Sequence, residues 1–244
     1  MVLTARAPTR IDLAGGTIDL WPIYLLVNQA ATVNIAIDLY TEVVIEQSND
    51  LLWHVNELNS GTLISAASPT ELAELTGSEI AGRLLEYFAP EHPLTLKTKS
   101  NAPPQSGLGG SSSLGISIAG ALNILTGSKL SSSELIKLVQ SVEVEVLRTI
   151  TGSQDHYPSV YGGAMCLWWD KLSHRREKIS IDGRAFQSRF LLAYSQQPHR
   201  SGATNWEVVK RFLEGDKKTV EALEKTGETA ALVRDALIES DFDR

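Results

Sequence analysis

The residues with the most to offer chemically lie between Asn101 and Gly115, where the chain reads Asn-Ala-Pro-Pro-Gln-Ser-Gly-Leu-Gly-Gly-Ser-Ser-Ser-Leu-Gly. Gly107, Gly109 and Gly110 permit positive φ and let a ligand approach the backbone. A helix opening near Ser111 adds unpaired N–H groups and a partial positive charge. A polyphosphate suits that arrangement. No Lys follows the last glycine, so a nucleotide here would be held by backbone amides and by the hydroxyls of Ser111, Ser112 and Ser113, one of which could ligate Mg2+. A capped helix behind a flexible loop accounts for the same residues without a ligand. Further on, Ile136, Val139, Glu143, Leu147 and Ile150 recur three or four apart, so Glu143 interrupts an apolar helical row. A carboxylate buried there unpaired costs several kcal/mol, and a cation, a donor or a metal must meet it. Glu145, with Ser141 and Thr149 as row neighbours, reads as solvated.

These groups need elements to hold them, and the pattern is mixed α and β. Strands are expected near Ile11–Leu13, Ala31–Gln47, Leu51–Val55, Leu94–Thr98, Ala164–Trp169, Lys178–Ile181 and Arg189–Tyr194, several with period-two alternation. The glycine-serine loop thus sits between a strand and a helix with Leu114, Ile118, Leu122 and Leu125 on its buried side, stopped by Gly127. Ser68/Glu71, Ser131/Glu134 and Thr204/Glu207 have capping-box spacing. The first precedes a Leu72, Leu75, Leu84, Leu85, Phe88 stripe, and the second a Leu135, Leu138, Val139, Val142, Val146 stripe. From about Phe190 a strand, a helix carrying Trp206, Val209 and Leu213, and a helix from about Lys218 to Leu237 look like half a domain. Trp168-Trp169 reads as one inward and one outward aromatic of a strand. Cys166 reads as a small core residue.

Composition narrows the function classes. The 244 residues are 43% hydrophobic and 21% charged, which is ordinary for a folded chain and excludes disorder. Twenty-nine acids against 22 bases give a net charge of −7 with no basic block, so nucleic acid is not an expected partner. A single cysteine excludes an intrachain disulfide and a thiolate zinc cluster, and the five histidines never fall at metal-ligand spacing. His156 reads as a packing residue. No apolar run reaches a membrane span and no signal-peptide pattern opens the chain, so a cytoplasmic protein is expected.

Pro103 to Ser113 resembles the Pro-x-x-x-Gly-Leu-Gly-Ser-Ser phosphate loop of the GHMP kinases, the family of galactokinase, homoserine kinase, mevalonate kinase and phosphomevalonate kinase. Gly110 stands where that family usually has its first serine. Two further segments agree in order, so the resemblance runs from Ala7 to about Ser201. Ala7–Leu20 is similar to the first family motif, and Thr151–Tyr157 is similar to the segment bearing the family's catalytic aspartate. Gly15-Gly-Thr-Ile-Asp-Leu-Trp-Pro22 is most like the branch acting on D-glycero-D-manno-heptose 7-phosphate.

The resemblance implies an α+β, two-domain GHMP kinase architecture. Residues 1–187 would form an N-terminal ribosomal-protein-S5-like α/β domain carrying the phosphate loop, and residues 188–244 an incomplete ferredoxin-like C-terminal domain. It implies ATP and Mg2+ as cofactors, with Pro104, Ser106, Gly107, Leu108, Gly109, Gly110, Ser111 and Ser112 on the nucleotide and with Ser111 and Glu143 on the metal. Asp155 would orient or deprotonate the acceptor hydroxyl, and Arg10 would offset charge on the transferred phosphoryl. Asp19, Gly16 and Thr17 would contact the acceptor, a small-molecule sugar or sugar phosphate, and Arg200 within His199-Arg200-Ser201 would meet its phosphate. A homodimer stays open. From spacing alone, Asp155 serves equally as an N-cap or turn acid after Gly152. Nothing after Ser201 resembles the family's late Gly-Ala-Gly-Gly-Gly-type loop, so the chain is either cut before that loop or naturally short. A galactokinase- or fucokinase-like enzyme, a nucleotide- or sugar-binding homologue without catalysis, and a structural α/β module remain alternatives.

Overall fold

The computed structural model describes residues 2–196 and 201–241, with only the backbone course for 201–203. Its elements are β1 (Val2–Ala14), α1 (Ile23–Leu26), β2 (Ala31–Gln47), β3 (Trp53–Glu57), β4 (Thr62–Ala66), α2 (Pro69–Glu74), α3 (Glu79–Phe88) and β5 (Leu94–Ser100). There follow α4 (Gly110–Thr126), α5 (Ser132–Leu147), α6 (His156–Tyr161), β6 (Ala164–Trp168), β7 (Arg175–Ile179), α7 (Gly183–Gln187), α8 (Ser201–Leu213) and α9 (Lys217–Glu239). The class is α+β, as expected.

One seven-stranded sheet runs β4-β3-β5-β2-β6-β7, with β1 joining at β2. The spine is β2, whose 17 residues are rich in β-branched types. Its partner on one edge is β1, from Val33 to Glu46. The other edge is divided between β6, over Ala31–Ile35, and β5, over Thr41–Gln47. Among the described residues, only the β3–β5 pairing is parallel.

Three apolar clusters flank this sheet. Val43, Ile45 and Leu96 pack under α3, α4 and α5 through Leu84, Ile118 and Val139. Along β6, alternate residues serve two further clusters. Met165 and Leu167 join Ile18, Leu20, Val209, Phe212 and Leu223, while Ala164 and Cys166 join Val33, Ala230 and Leu237. Both C-terminal helices therefore pack on the body of the chain. Trp169 is buried and donates to Thr32 Oγ1, and Trp168 donates to Glu177, so this aromatic pair is structural. Burial pushes the Cys166 thiol up to about 12, in keeping with a packing role.

The caps agree in part. Ser131 and Glu134 form a full capping box on α5, and Ser68 accepts the Glu71 N–H at the start of α2. Gly127 closes α4 at φ +69°. Thr204/Glu207 does not open a helix, because α8 already begins at Ser201. The stripe after Ser68 is broken at Gly77-Ser78 into α2 and α3, leaving Leu75 exposed. The row through Glu143 ends early: α5 stops at a left-handed Arg148, so Leu147 is exposed and Ile150 lies off the helix. Arg189–Tyr194 is not a strand. No sheet edge pairs with it, it has no β-branched residue, and its Leu191 is 93% exposed. The short β4 and α6 were not expected.

A Cβ at Gly227 of α9 would stand 1.9 Å from the Gln29 carbonyl oxygen. Gly227→Ala should therefore lift α9 and cost about 1–3 kcal/mol, lowering the melting temperature by several degrees. Calorimetry checks this, and an unchanged melting temperature would contradict the docking of α9 on the loop before β2.

Candidate active site

The site is built around Arg10 of β1, which is 6% exposed. Its Nε and Nη2 donate to Asp155 Oδ1 at 2.9 and 2.6 Å. Its Nη1 donates to the Gly107 carbonyl, and its backbone N–H donates to the Leu108 carbonyl at 3.1 Å. One residue thus ties the glycine loop to the acid that follows it by 48 positions in sequence (155 − 107). Burial works against the guanidinium charge, but Asp155 and then Asp12 outweigh it and raise the Arg10 pKa. The N-cap position of α6 is held by Asp155, yet its side chain makes no cap bond. The carboxylate is committed to Arg10, which removes the capping explanation. Gly109, at φ +69°, lies so close that a Cβ there would stand 3.3 Å from Asp155 Cβ and Oδ2. Only glycine combines that backbone conformation with that approach.

Asp19 is 5% exposed, and its Oδ2 accepts the Gln154 N–H at 2.9 Å. Gly152 makes room for it, since a Cβ there would fall 1.7 Å from the same oxygen. Burial pushes Asp19 up to about 6, against the Gln154 hydrogen bond and with repulsion from Asp155. Asp12 completes the group. Its Oδ1 is 3.1 Å from Arg10 Nε, and its Oδ2 accepts from Gln154 Nε2 at 3.4 Å. The Asp12 side chain still reaches water, at 27% exposure, but the protein crowded around it pushes its pKa up to about 7, with Arg10 opposing and Asp155 and Asp19 reinforcing. Desolvation first, and then repulsion from neighbouring carboxylates, keeps protons on Asp12 and Asp19 well above the ordinary carboxylate range. The sequence reading missed Asp12, because a polar residue on an alternating strand looks like a solvent-facing one.

A second ion pair lies behind the loop. Glu143, 4% exposed, accepts from Ser112 Oγ at 2.9 and 3.1 Å through its two oxygens. Its Oε2 is 3.2 Å from Nε2 of the fully buried His156. Burial favours the neutral carboxyl, but the His156 charge and then the Ser112 and Ser111 hydroxyls outweigh it and lower the Glu143 pKa. His156 is raised in turn: burial opposes its charge, and Glu143 overcomes this. The interrupted row thus meets its counter-charge in a histidine next to Asp155.

The expected site residues are distributed as follows. Arg10, Asp19, Gly107, Leu108, Gly109 and Asp155 converge directly, while Ser111, Ser112 and Glu143 form the adjoining group. Pro104 and Ser106 precede the glycines in the loop, and Gly110 is the first residue of α4. Gly16 and Thr17 lie in the turn leading to Asp19, with Thr17 at φ +76°. Ser113 is not on the ligand side. Buried against the sheet, it donates to the Ala7 carbonyl at 2.9 Å and pairs with Thr41 Oγ1 at 2.7 Å. His199 and Arg200 fall outside the described residues.

Residues 70–163, from α2 to the end of α6, match the family described as GHMP kinases N terminal domain. This stretch, less than half of the chain, is similar to the N-terminal domain of the GHMP kinases. Among curated relatives, a D-glycero-alpha-D-manno-heptose 7-phosphate kinase of Campylobacter jejuni is 25% identical, over 98% of this chain and 73% of the relative. A bifunctional fucokinase/GDP-fucose pyrophosphorylase of Arabidopsis thaliana is 26% identical, over 97% of this chain but 24% of its own length. A D-glycero-D-manno-heptose 1-phosphate kinase from Bacteriodes thetaiotaomicron has a TM-score of 0.73 at 21% identity, covering 99% of this chain and 74% of that one. This likeness shows the shared two-domain GHMP fold. No helix among the described residues is long and apolar enough to cross a membrane.

The carboxylate cluster has a pH signature. Asp12 and Asp19 have folded pKa values above the ordinary 3.8, so the folded state holds their protons more tightly. Their contribution is full below the unfolded pKa and is lost as pH rises through about 6 to 7. Asp12→Asn should flatten this fall, so that the melting-temperature gap between variant and parent widens in the variant's favour by roughly 2–4 °C between mildly acidic and alkaline buffer. Parallel melting-temperature profiles would contradict the retained proton.

Proposed function

We propose that this chain transfers the γ-phosphoryl group of ATP to a hydroxyl of a sugar or sugar phosphate, with a D-glycero-D-manno-heptose phosphate as the favoured acceptor. The observation that carries the reading is Arg10, which joins the Gly107 carbonyl of the phosphate loop to Asp155. A nucleotide on the loop and an acceptor on the acid would meet across this one guanidinium. The heptose phosphate kinases among the relatives support the acceptor class, and the Gly15–Pro22 segment favours that branch over the fucokinase and the galactokinases that also match. Residues 1–187 are read as the N-terminal domain and residues 188–244 as part of a second.

In this reading the backbone amides of Gly107 to Ser112 and the start of α4 receive the ATP phosphates. Asp155 orients the acceptor hydroxyl and takes its proton as the oxygen–phosphorus bond forms and the bond to the ADP oxygen breaks. Arg10 offsets negative charge on the phosphoryl in flight. Asp19, beside the Gln154 amide, accepts hydrogen bonds from acceptor hydroxyls. Ser111 and Glu143 would hold Mg2+. They fit it, since a carboxylate kept ionised and serine hydroxyls are hard oxygen donors, and nucleotide phosphates and water would supply the remaining ligands. When bound, that ion neutralises charge on the phosphates.

Asp155→Asn should cut turnover by ~10²-fold or more while leaving nucleotide affinity near the parent value. Ser111→Ala should instead weaken nucleotide binding with Mg2+ present more than without it. Steady-state assays on sugars, sugar phosphates, mevalonate and homoserine, beside calorimetric titration with ATP, measure both effects. Preference for mevalonate or homoserine over every sugar would overturn the acceptor class. Nucleotide binding without turnover of any acceptor would mark a binding protein instead.

A further inference from the structure

The turn that carries Asp19 borders an open surface cavity, separate from the phosphate loop. Gly16 and Thr17 form one side of this space of about 490 Å³, and Arg211 of α8 with Asp216, Lys218 and Thr219 at the start of α9 form the other. Nothing stands within 4 Å of where a Cβ of Gly16 would be, so the turn backbone is bare toward its surroundings. Among the described residues, the N–H groups of Gly16 and Thr17 find no acceptor, the turn's own bonds being Ile18 N–H to Gly15 and Leu20 N–H to Thr17. The floor is apolar, provided by Leu223, which packs with Ile18 and Leu20.

The charge balance of this cavity differs from that of the chain. Among the described residues, neither Arg211 nor Lys218 lies in salt-bridge contact with a carboxylate. The one acid in the lining, Asp216, caps α9, its Oδ1 accepting from the Thr219 N–H at 2.9 Å and from Thr219 Oγ1 at 2.7 Å, and it also feels the charges of Arg211 and Lys218, which lower its pKa after the Thr219 bonds. Two cations against one capping carboxylate leave a net positive pocket in a chain of net charge −7. With no help from the overall field, an anionic ligand needs such local cations.

We propose that this cavity seats the phosphomonoester of a phosphorylated acceptor, with Arg211 and Lys218 as its cations. The position supports the assignment. Thr17 is two residues from Asp19, a reach of no more than about 7 Å along the chain. Asp19 in turn holds the amide next to Asp155. In this proposal a sugar with hydroxyls at Asp19 and Asp155 turns its phosphate toward the Gly16-Thr17 turn, while the transferred phosphoryl stays with Arg10 and the glycine loop. The inference rests on the kinase reading above for the identity of the acceptor, and it assigns the phosphate recognition first expected of Arg200 to a different pair. The sequence shows these cations only as Lys210-Arg211 and Lys217-Lys218 around a Glu-Gly-Asp turn, a pattern that reads as a solvated surface.

The test pairs a sugar phosphate with the same sugar lacking the phosphate, using the full chain and the Arg211→Ala/Lys218→Ala double variant. Both side chains are exposed, so folding is expected to survive, and circular dichroism verifies it. Loss of two charge-assisted contacts should raise KM for the phosphorylated acceptor ~10-fold or more, and by much more than KM for the plain sugar. Equal KM changes for both acceptors, or none, would overturn the proposal. If the parent turns over no acceptor at all, the kinase reading fails, and calorimetric titration with the sugar phosphate decides the pocket alone. Binding weakened in the double variant supports it, and binding that is absent in the parent or equal in both proteins overturns it.

Discussion

A single buried positive charge organises this molecule. Arg10 is nearly excluded from water, and a guanidinium there is tolerable only because carboxylates and a carbonyl surround it. Asp12 lies two residues along the same strand, but the other two partners come from distant parts of the chain: Gly107 in the glycine loop and Asp155 at the start of α6. Satisfying the charge therefore fixes the loop and the acid relative to β1. Desolvation of the neighbouring carboxylates, aided by repulsion from Asp155, has its own consequence, because Asp12 and Asp19 then keep protons to about 7 and 6. The glycine loop and Asp155 are thus placed by the same buried charge, beside neighbours that titrate near neutrality.

A second buried pair reinforces the arrangement from behind. Glu143 on α5 meets His156, the residue after Asp155, and also holds Ser112 in the first turn of α4. The three helices that shape the site are joined by one carboxylate, so the helix that presents the phosphate loop and the helix that presents the acid cannot shift independently. Removing either member of such a pair leaves an uncompensated charge, which costs far more than a surface ion pair. The sheet supplies the rigidity: β2 is paired on both edges, and β1, which carries Arg10, lies along most of its length.

Much of this was legible in the sequence, and the exceptions have physical causes. Ser131 and Glu134 announce α5 because a capping box is a local device, complete within four residues. Glu143 was visible as the one charge in an apolar row, although the row itself ended sooner than its spacing suggested. Asp12 was not visible, since its significance comes from the charges of Arg10 and Asp155 beside it in the folded chain. Ser113 was misplaced for a rotational reason: successive helix residues turn by about 100°, and the sequence does not say which serine of three faces the ligand. The Arg189–Tyr194 segment failed as a strand because a strand needs a neighbour, and no sheet edge meets it. The resemblance to GHMP kinases carried the roles of Arg10, Asp19 and Asp155 beyond what residue types alone support, and the geometry joins these three into one group.

The most direct test of this organisation is a double-mutant cycle on kcat/KM for phosphorylation of a heptose phosphate, using Arg10→Gln, Asp155→Asn and the combined variant. If Arg10 and Asp155 act as one unit, Asp155→Asn should cost much less in the Arg10→Gln background than in the parent, with a coupling of roughly 1–3 kcal/mol. Fully additive losses, each the same in either background, would contradict the account, because the guanidinium and the acid would then be serving the reaction separately.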